Sequence, residues 1–299
     1  MFPIIQVPDH ARDYLEPVGT KEKFWVQGQN RLFKEGRPNT GDDRSEKAAS
    51  ALCELLGLPH AHYDLAVWKG RKGVVSPNFL PPDARLELGN ELLAKVVAEY
   101  PRTKRFDVAQ HTVGRVMAVL RNRQIMVPIG WTAFSNVETA ADVFVGYLMF
   151  DAWIANQDRH HENWGLVVTP EATHLAPSYD HASSLGSGET DSDREDRLSP
   201  SDKRRSVDRY VARAVSAFYL SSSRKKPLSP LRAFFAAGYL RPQAGDAWLE
   251  RLRQVSSSDV NSIFEQIPPE RISPVAKRFA QSMLQINQER LLTLQGAWT

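Results

Sequence analysis

The sequence contains a single cysteine, Cys53, so no disulfide can form within the chain and a reducing compartment is expected. Cys53 falls in an apolar stretch with helical spacing, where a thiol acts as a small hydrophobe rather than a reactive group. Long apolar runs are also missing. No window approaches the ~20 apolar residues that a membrane-spanning helix needs. The opening Met1-Phe2-Pro3-Ile4-Ile5-Gln6 has neither a basic n-region nor a long apolar core, so no secretory signal is expected. These absences point to a soluble cytoplasmic protein without a membrane partner. A charge excess is lacking too: 38 basic side chains against 35 acidic ones leave a formal +3, too little to imply direct binding of nucleic acid. Lys203-Arg204-Arg205, Arg209, Arg213 and Arg224-Lys225-Lys226 are interleaved with Asp202 and Asp208 and read as a solvated face. There is no internal repeat.

What is present is ordinary globular chemistry, 42% hydrophobic and 24% charged over 299 residues, enough for a large core split between two lobes. The informative segment is Asp158-Arg159-His160-His161-Glu162-Asn163, with Asp180 in Ser178-Tyr179-Asp180 downstream. An aspartate and an asparagine five positions apart, followed by a second aspartate, is a layout suited to metal-assisted phosphoryl transfer. Asp158 can orient an acceptor hydroxyl and take its proton. The Asn163 carboxamide oxygen and the Asp180 carboxylate can hold Mg²⁺ against nucleotide phosphates. Local patterning supports that placement. Thr139 to Asn156 reads as a helix, with Val143, Phe144, Tyr147, Leu148 and Ile154 at helical spacing. Trp164 to Val168 and His174-Leu175-Ala176 read as short strands joined by Thr169-Pro170-Glu171, a hairpin that returns Asp180 beside Asn163.

The first eighty residues offer a partner half. Phe24-Trp25-Val26 and Arg31-Leu32-Phe33-Lys34 read as two strands with Gln27-Gly28-Gln29-Asn30 as their turn. Lys34 can then reach the α- and β-phosphates. Ser45 to Leu56 reads as a helix with Glu46 in its first turn and Gly57 as its stop. Glu46 is the natural ion-pair partner of Lys34. Ahead of them, Val18-Gly19-Thr20-Lys21-Glu22-Lys23 places a glycine where backbone amides could approach phosphates, although it matches neither a Walker A loop nor the three-glycine kinase loop.

These residues resemble the HipA-type serine/threonine kinases, bacterial enzymes of toxin–antitoxin systems. The matching pieces are Gly19-Thr20-Lys21-Glu22-Lys23, Leu32-Phe33-Lys34-Glu35, Ser45-Glu46-Lys47-Ala48 and Val75-Ser76-Pro77-Asn78-Phe79. Two further pieces, Asp151 to His160 and Leu175 to Asp180, are the more specific. The resemblance implies an α+β, two-lobed protein-kinase-like fold, with a β-rich N-lobe over residues 1–82 and a helical C-lobe over 83–299. It implies ATP and Mg²⁺ as cofactors, with Asp158, Lys34 and Glu46 as catalytic residues. Gly19, Lys23, Lys34, Phe79 and Leu80 would contact the nucleotide, the last two at a hinge before Pro81-Pro82-Asp83, and Asn163 and Asp180 would bind the metal. The partners implied are a protein substrate and an antitoxin. Full-length HipA proteins carry a further N-terminal subdomain, and with eighteen residues before Gly19 that subdomain is expected to be essentially missing. The serine whose autophosphorylation silences better-known members is replaced by Glu16, Pro17 and Val18. Thr20, Thr40 and Ser45 are the neighbouring hydroxyls.

Other readings compete at several positions. Lipid kinases use a similar Asp-Arg-His-x-x-Asn string, so a lipid or small-molecule acceptor is the first alternative, and a non-catalytic binding module is the second. Asp151, alone in an apolar helix, reads as a buried strut that anchors the following loop. His160, His161, His174 and His181 invite a zinc site, but adjacent loop histidines seldom share an ion and no cysteine joins them. Residues 186–202 are polar and glycine-containing and read as a mobile loop. Further helices are expected over Glu91–Tyr100 behind an Asn90 cap, Val108–Arg121, Val207–Tyr219, Pro230–Ala237, Ala247–Val255 and Ser273–Thr293.

Overall fold

The computed structural model of the chain describes residues 1–15 and 22–298. Its first sheet is built from β1 (Ile4–Val7), β2 (Arg12–Leu15), β3 (Lys23–Val26), β4 (Arg31–Glu35), β5 (Asp64–Trp68) and β6 (Arg71–Pro77) in the order β1-β5-β6-β4-β3-β2. Only β1 runs parallel to its neighbour, β5. Alternation along β3 and β4 decides what each face does. Phe24, Val26 and Phe33 point into a small core with Trp68, Ala66 and Val75. On the other face, Lys23 lies opposite Lys34 and Trp25 opposite Leu32, so two lysines and two apolar side chains share one surface.

The second sheet combines β7 (Arg85–Leu88), β8 (Ile125–Met126), β9 (Gly165–Val168) and β10 (Thr173–Leu175) in the order β7-β9-β10-β8. Here β9 and β10 form the antiparallel hairpin expected from the sequence. Among the described residues there are ten α-helices. They are α1 (Asp42–Leu56), α2 (Gly89–Val96), α3 (Val113–Leu120), α4 (Ala140–Ile154), α5 (Asp191–Leu198), α6 (Val207–Ala212), α7 (Pro230–Leu240), α8 (Pro242–Gln254), α9 (Ser257–Gln266) and α10 (Pro274–Leu292). The fold is thus α+β, two-lobed and kinase-like. Among the described residues, no helix is long and apolar enough to cross a membrane.

Helix α4 is the axis of the larger core, and every one of its residues is buried. Thr139 starts it by accepting from the Asp142 amide, while the Asp142 carboxylate accepts from the Thr139 amide, a reciprocal cap. The helix stops where Ala155 turns left-handed at φ 52°, which aims the chain into the Asp158 segment. Trp248 of α8 packs so closely on α4 that a Cβ at Gly146 would come within 2.3 Å of its ring. Helix α1 ends at a left-handed Gly57, as the sequence suggests, and buries Ala48, Ala49, Leu52, Cys53 and Leu56 in the same core as α4.

Several boundaries differ from the sequence expectations. Helix α1 begins at Asp42, so Glu46 sits a turn deeper than expected and is fully enclosed. The N-cap of α2 is Leu88 rather than Asn90, α3 starts at Val113, α6 stops at Ala212, and α9 forms where the sequence suggests no helix. The largest difference is the 186–202 segment, which contains α5 rather than a mobile loop. Thr190 caps it by accepting from the Asp193 amide at 3.1 Å, and Asp191 and Asp193 favour the positive helix start. Arg194 then buries its guanidinium and donates to the Gly186 carbonyl at 3.0 Å. A composition that looks mobile is ordered because its one buried cation is satisfied.

Candidate active site

The cleft between the sheets is a cavity of about 350 Å³ lined by Lys23, Trp25, Leu32 and Lys34 from the first sheet, Phe79 and Leu80 from the connection, and Asn163, Tyr179 and Asp180 from the helical part. Lys34 is its electrostatic centre. Its buried Nζ donates to Oε1 of Glu46 and to Oδ1 of Asp180. Burial alone would lower the Lys34 pKa, but the two carboxylates outweigh it and hold the ammonium well above its ordinary range. The other Glu46 oxygen accepts from the His181 amide at 2.8 Å. Glu46 therefore ties α1 at once to the lysine and to the backbone just past Asp180.

Asp180 has φ 61°, a left-handed conformation that aspartate tolerates better than most residues. Its amide donates to the Tyr63 hydroxyl at 3.3 Å, and Lys23 Nζ stands 4.0 Å from Oδ2. Tyr179 stacks on Phe79 with ring centroids 5.9 Å apart and donates to the Glu162 carbonyl at 2.9 Å. The Leu80 amide donates to Oδ1 of Asn78 at 3.0 Å, so in this arrangement it is engaged within its own turn. Gly19 lies outside the described residues, as do Thr20 and Glu16 to Val18. Of the remaining neighbouring hydroxyls, Ser45 is buried and donates to the Ser184 carbonyl, and Thr40 donates to the Arg37 carbonyl.

Of the loop candidates, Asn163 lines the cleft, while Asp158 is not among its lining residues. The Asn163 amide nitrogen donates to the Asp158 carbonyl at 2.5 Å, which leaves the Asn163 carboxamide oxygen as the group able to accept a cation. Asn163 and Asp180 both line the cavity, and oxygen donors of this kind suit Mg²⁺. Asp158 keeps about a third of its side chain exposed, 3.7 Å from Nε2 of His160.

Arg159 follows Asp158 directly in the chain. It is buried and makes a paired contact to Asp151 of α4, donates to the Asn163 carbonyl at 3.0 Å and to Ser178 Oγ at 2.9 Å. Asp151 also accepts from the Asn156 side chain at 2.8 Å. It is therefore a buried strut, and Arg159 extends that strut into both halves of the loop pair. Tyr63 is a second contributor the sequence did not flag, because no local motif surrounds it.

The expected histidine group disperses. His160 accepts from the Glu162 amide, His161 meets the Tyr100 hydroxyl, His174 the Val127 carbonyl, and His181 Ser178 Oγ. Burial holds His111 and His160 down to about 3 and His60 to about 4, and shifts His161 and His181 the same way. Below pH about 6.5 the unfolded chain thus binds more protons than the folded one, so stability is full above that pH and lost as pH falls toward the folded values. His60, His111 and His160 each contribute about 1.4 kcal/mol per pH unit between 6.5 and their folded values. The urea midpoint is expected to fall steadily from pH 6.5 to 4, and a flat midpoint would contradict this.

The fold is the two-lobed one of HipA-like kinases. The chain is similar to the Helicobacter pylori proinflammatory kinase CtkA, with TM-score 0.72 and 18% identity over 99% of this chain and 98% of that one. It is also similar to HipA of the Shewanella oneidensis MR-1 toxin–antitoxin system, solved with HipB and operator DNA. There the TM-score is 0.58 and the identity 14%, over 95% of this chain and 66% of HipA. No family model and no curated protein matches the sequence. At these identities the likeness establishes the fold.

Proposed function

We propose that the chain is an ATP-dependent, Mg²⁺-requiring protein serine/threonine kinase, with its nucleotide-binding half over residues 1–82 and its catalytic half over 83–299. The observation that carries this reading is the buried Lys34–Glu46–Asp180 network, which joins β4, α1 and the segment after β10 beside one cleft that Lys34 and Asp180 line. Lys34, kept cationic, binds the nucleotide phosphates, with Lys23 beside it. Trp25, Leu32, Phe79 and Leu80 supply apolar walls for the base. Asn163 and Asp180 hold Mg²⁺, which when bound neutralises phosphate charge. Asp158 orients the acceptor hydroxyl and takes its proton as the hydroxyl oxygen bonds to the γ-phosphorus of ATP and the bond from that phosphorus to the bridging oxygen breaks, releasing ADP. A growth-regulating role with an antitoxin partner is part of the proposal by analogy with the HipA neighbour, which was solved with HipB.

The test is transfer from labelled ATP with Mg²⁺, read by intact mass and peptide mapping. The wild-type chain is expected to place phosphate on protein hydroxyls, and Asp158→Asn to do so about 10²–10⁴-fold more slowly. Equal labelling by Asp158→Asn would remove Asp158 as the base. ATP binding without any phosphoprotein would move the acceptor to a small molecule.

A further inference from the structure

Away from the cleft, the end of α1 and the loop into β5 gather Glu54, His60 and His62. One ligand atom from each lies within 4.8 Å of the others, which no other group of His, Cys, Asp or Glu achieves among the described residues. Glu54 Oε1 is 3.6 Å from His62 Nδ1 and 4.0 Å from His60 Nε2. Zinc at about 2.0–2.2 Å from each donor spaces tetrahedral ligands roughly 3.3–3.5 Å apart. Small rotations of Glu54 and His62, both exposed, would close that difference.

His60 supplies an independent sign of a ligand. Its side chain is only 6% exposed. Nδ1 meets the Leu58 carbonyl at 2.8 Å, a contact that requires the proton on Nδ1 and leaves Nε2 as a bare lone pair. That Nε2 is buried, points toward Glu54, and has no hydrogen-bond partner. A buried acceptor left unmet needs an explanation. Metal-ligating histidines are oriented in this way, with the far nitrogen donating to a backbone carbonyl.

We propose that Glu54, His60 and His62 form a binding site for a divalent transition metal of the zinc class, with solvent completing the coordination. Two imidazole nitrogens favour such an ion over Mg²⁺ or Ca²⁺. The site is separate from the Asn163–Asp180 pair and stands whether or not the kinase reading holds. Its place in the fold suggests what it does. The Ala61 amide donates to the Ser178 carbonyl at 2.8 Å, the Ser178 amide donates to the Pro59 carbonyl at 2.9 Å, and Tyr63 accepts from Asp180. An ion on this loop braces the segment that carries Asp180.

The experiment is calorimetric titration of the full, untagged, chelator-treated chain with ZnCl₂, beside thermal unfolding and Co²⁺ absorption. Wild type is expected to bind one Zn²⁺, to unfold at a higher temperature with it, and to give a visible four-coordinate Co²⁺ spectrum. His62→Ala and Glu54→Gln, at exposed positions, should leave the circular dichroism unchanged and weaken binding by about 100-fold or more, since loss of a mere outer partner costs 10–100-fold. Asp180→Asn should leave Zn²⁺ binding intact. Absence of binding in wild type, or undiminished binding in both His62→Ala and Glu54→Gln, would overturn the site. Loss of binding in Asp180→Asn alone would place the ion in the cleft and overturn it equally.

Discussion

Replacing Asp180 with alanine is expected to slow phosphate transfer by about 10⁴-fold or more and to abolish Mg²⁺-dependent nucleotide binding. The size follows from losing metal-borne charge stabilisation of several kcal/mol, at about 1.4 kcal/mol for each factor of ten. No neighbour can substitute. The other carboxylate lining the cleft, Glu162, is paired with Arg105 at 2.7 Å. Asp180 is also one of two anions that hold Lys34, so its removal leaves a buried ammonium with Glu46 alone. Its left-handed backbone strains alanine more than asparagine. Asp180→Asn therefore separates charge from backbone and should show a smaller loss with the same sign. Calorimetric ATP binding with and without millimolar Mg²⁺ checks both variants. Wild-type affinity in Asp180→Ala at millimolar Mg²⁺ would overturn the metal assignment.

The cleft was legible in the sequence wherever its chemistry is local. The β3–β4 hairpin, the Gly57 stop, the Thr139 helix and the β9–β10 hairpin each depend on a few adjacent residues, and those residues spell out where Lys34, Asn163 and Asp180 must go. What was not legible depends on distant partners. Arg159 looks like a site cation until Asp151, Asn163 and Ser178 are seen around it. Residues 186–202 look mobile because their composition is polar. The burial of Arg194 and the packing of α5 on α10 lie in no short window of sequence. The strand β1 pairs with β5 across some sixty residues, a partner that no short window of sequence shows. The unmet His60 nitrogen is likewise a property of packing, since His-x-His after a helix says nothing about burial.

Arg159→Leu is expected to destabilise the protein by about 3–5 kcal/mol, the cost of leaving a buried carboxylate without its cation. Asp151 keeps only a few per cent of its side chain exposed, and Arg159 even less, so water cannot replace the lost partner. Against a total of about 5–15 kcal/mol for a folded domain, that is a large fraction. The urea midpoint should drop with an unchanged slope. Replacing both members, Asp151→Leu with Arg159→Leu, should recover much of the loss, because the pair's attraction largely offsets its own desolvation. The double variant separates two roles that the single one confounds. Arg159 also holds the Asn163 carbonyl and Ser178 Oγ, and an apolar pair cannot reproduce either contact. Recovered stability with phosphate transfer still reduced would identify Arg159 as the residue that positions the Asp158–Asn163 loop against the Asp180 segment. A single variant that loses less than about 1 kcal/mol would mean that Asp151 finds another partner, and the strut would not be what holds the loop.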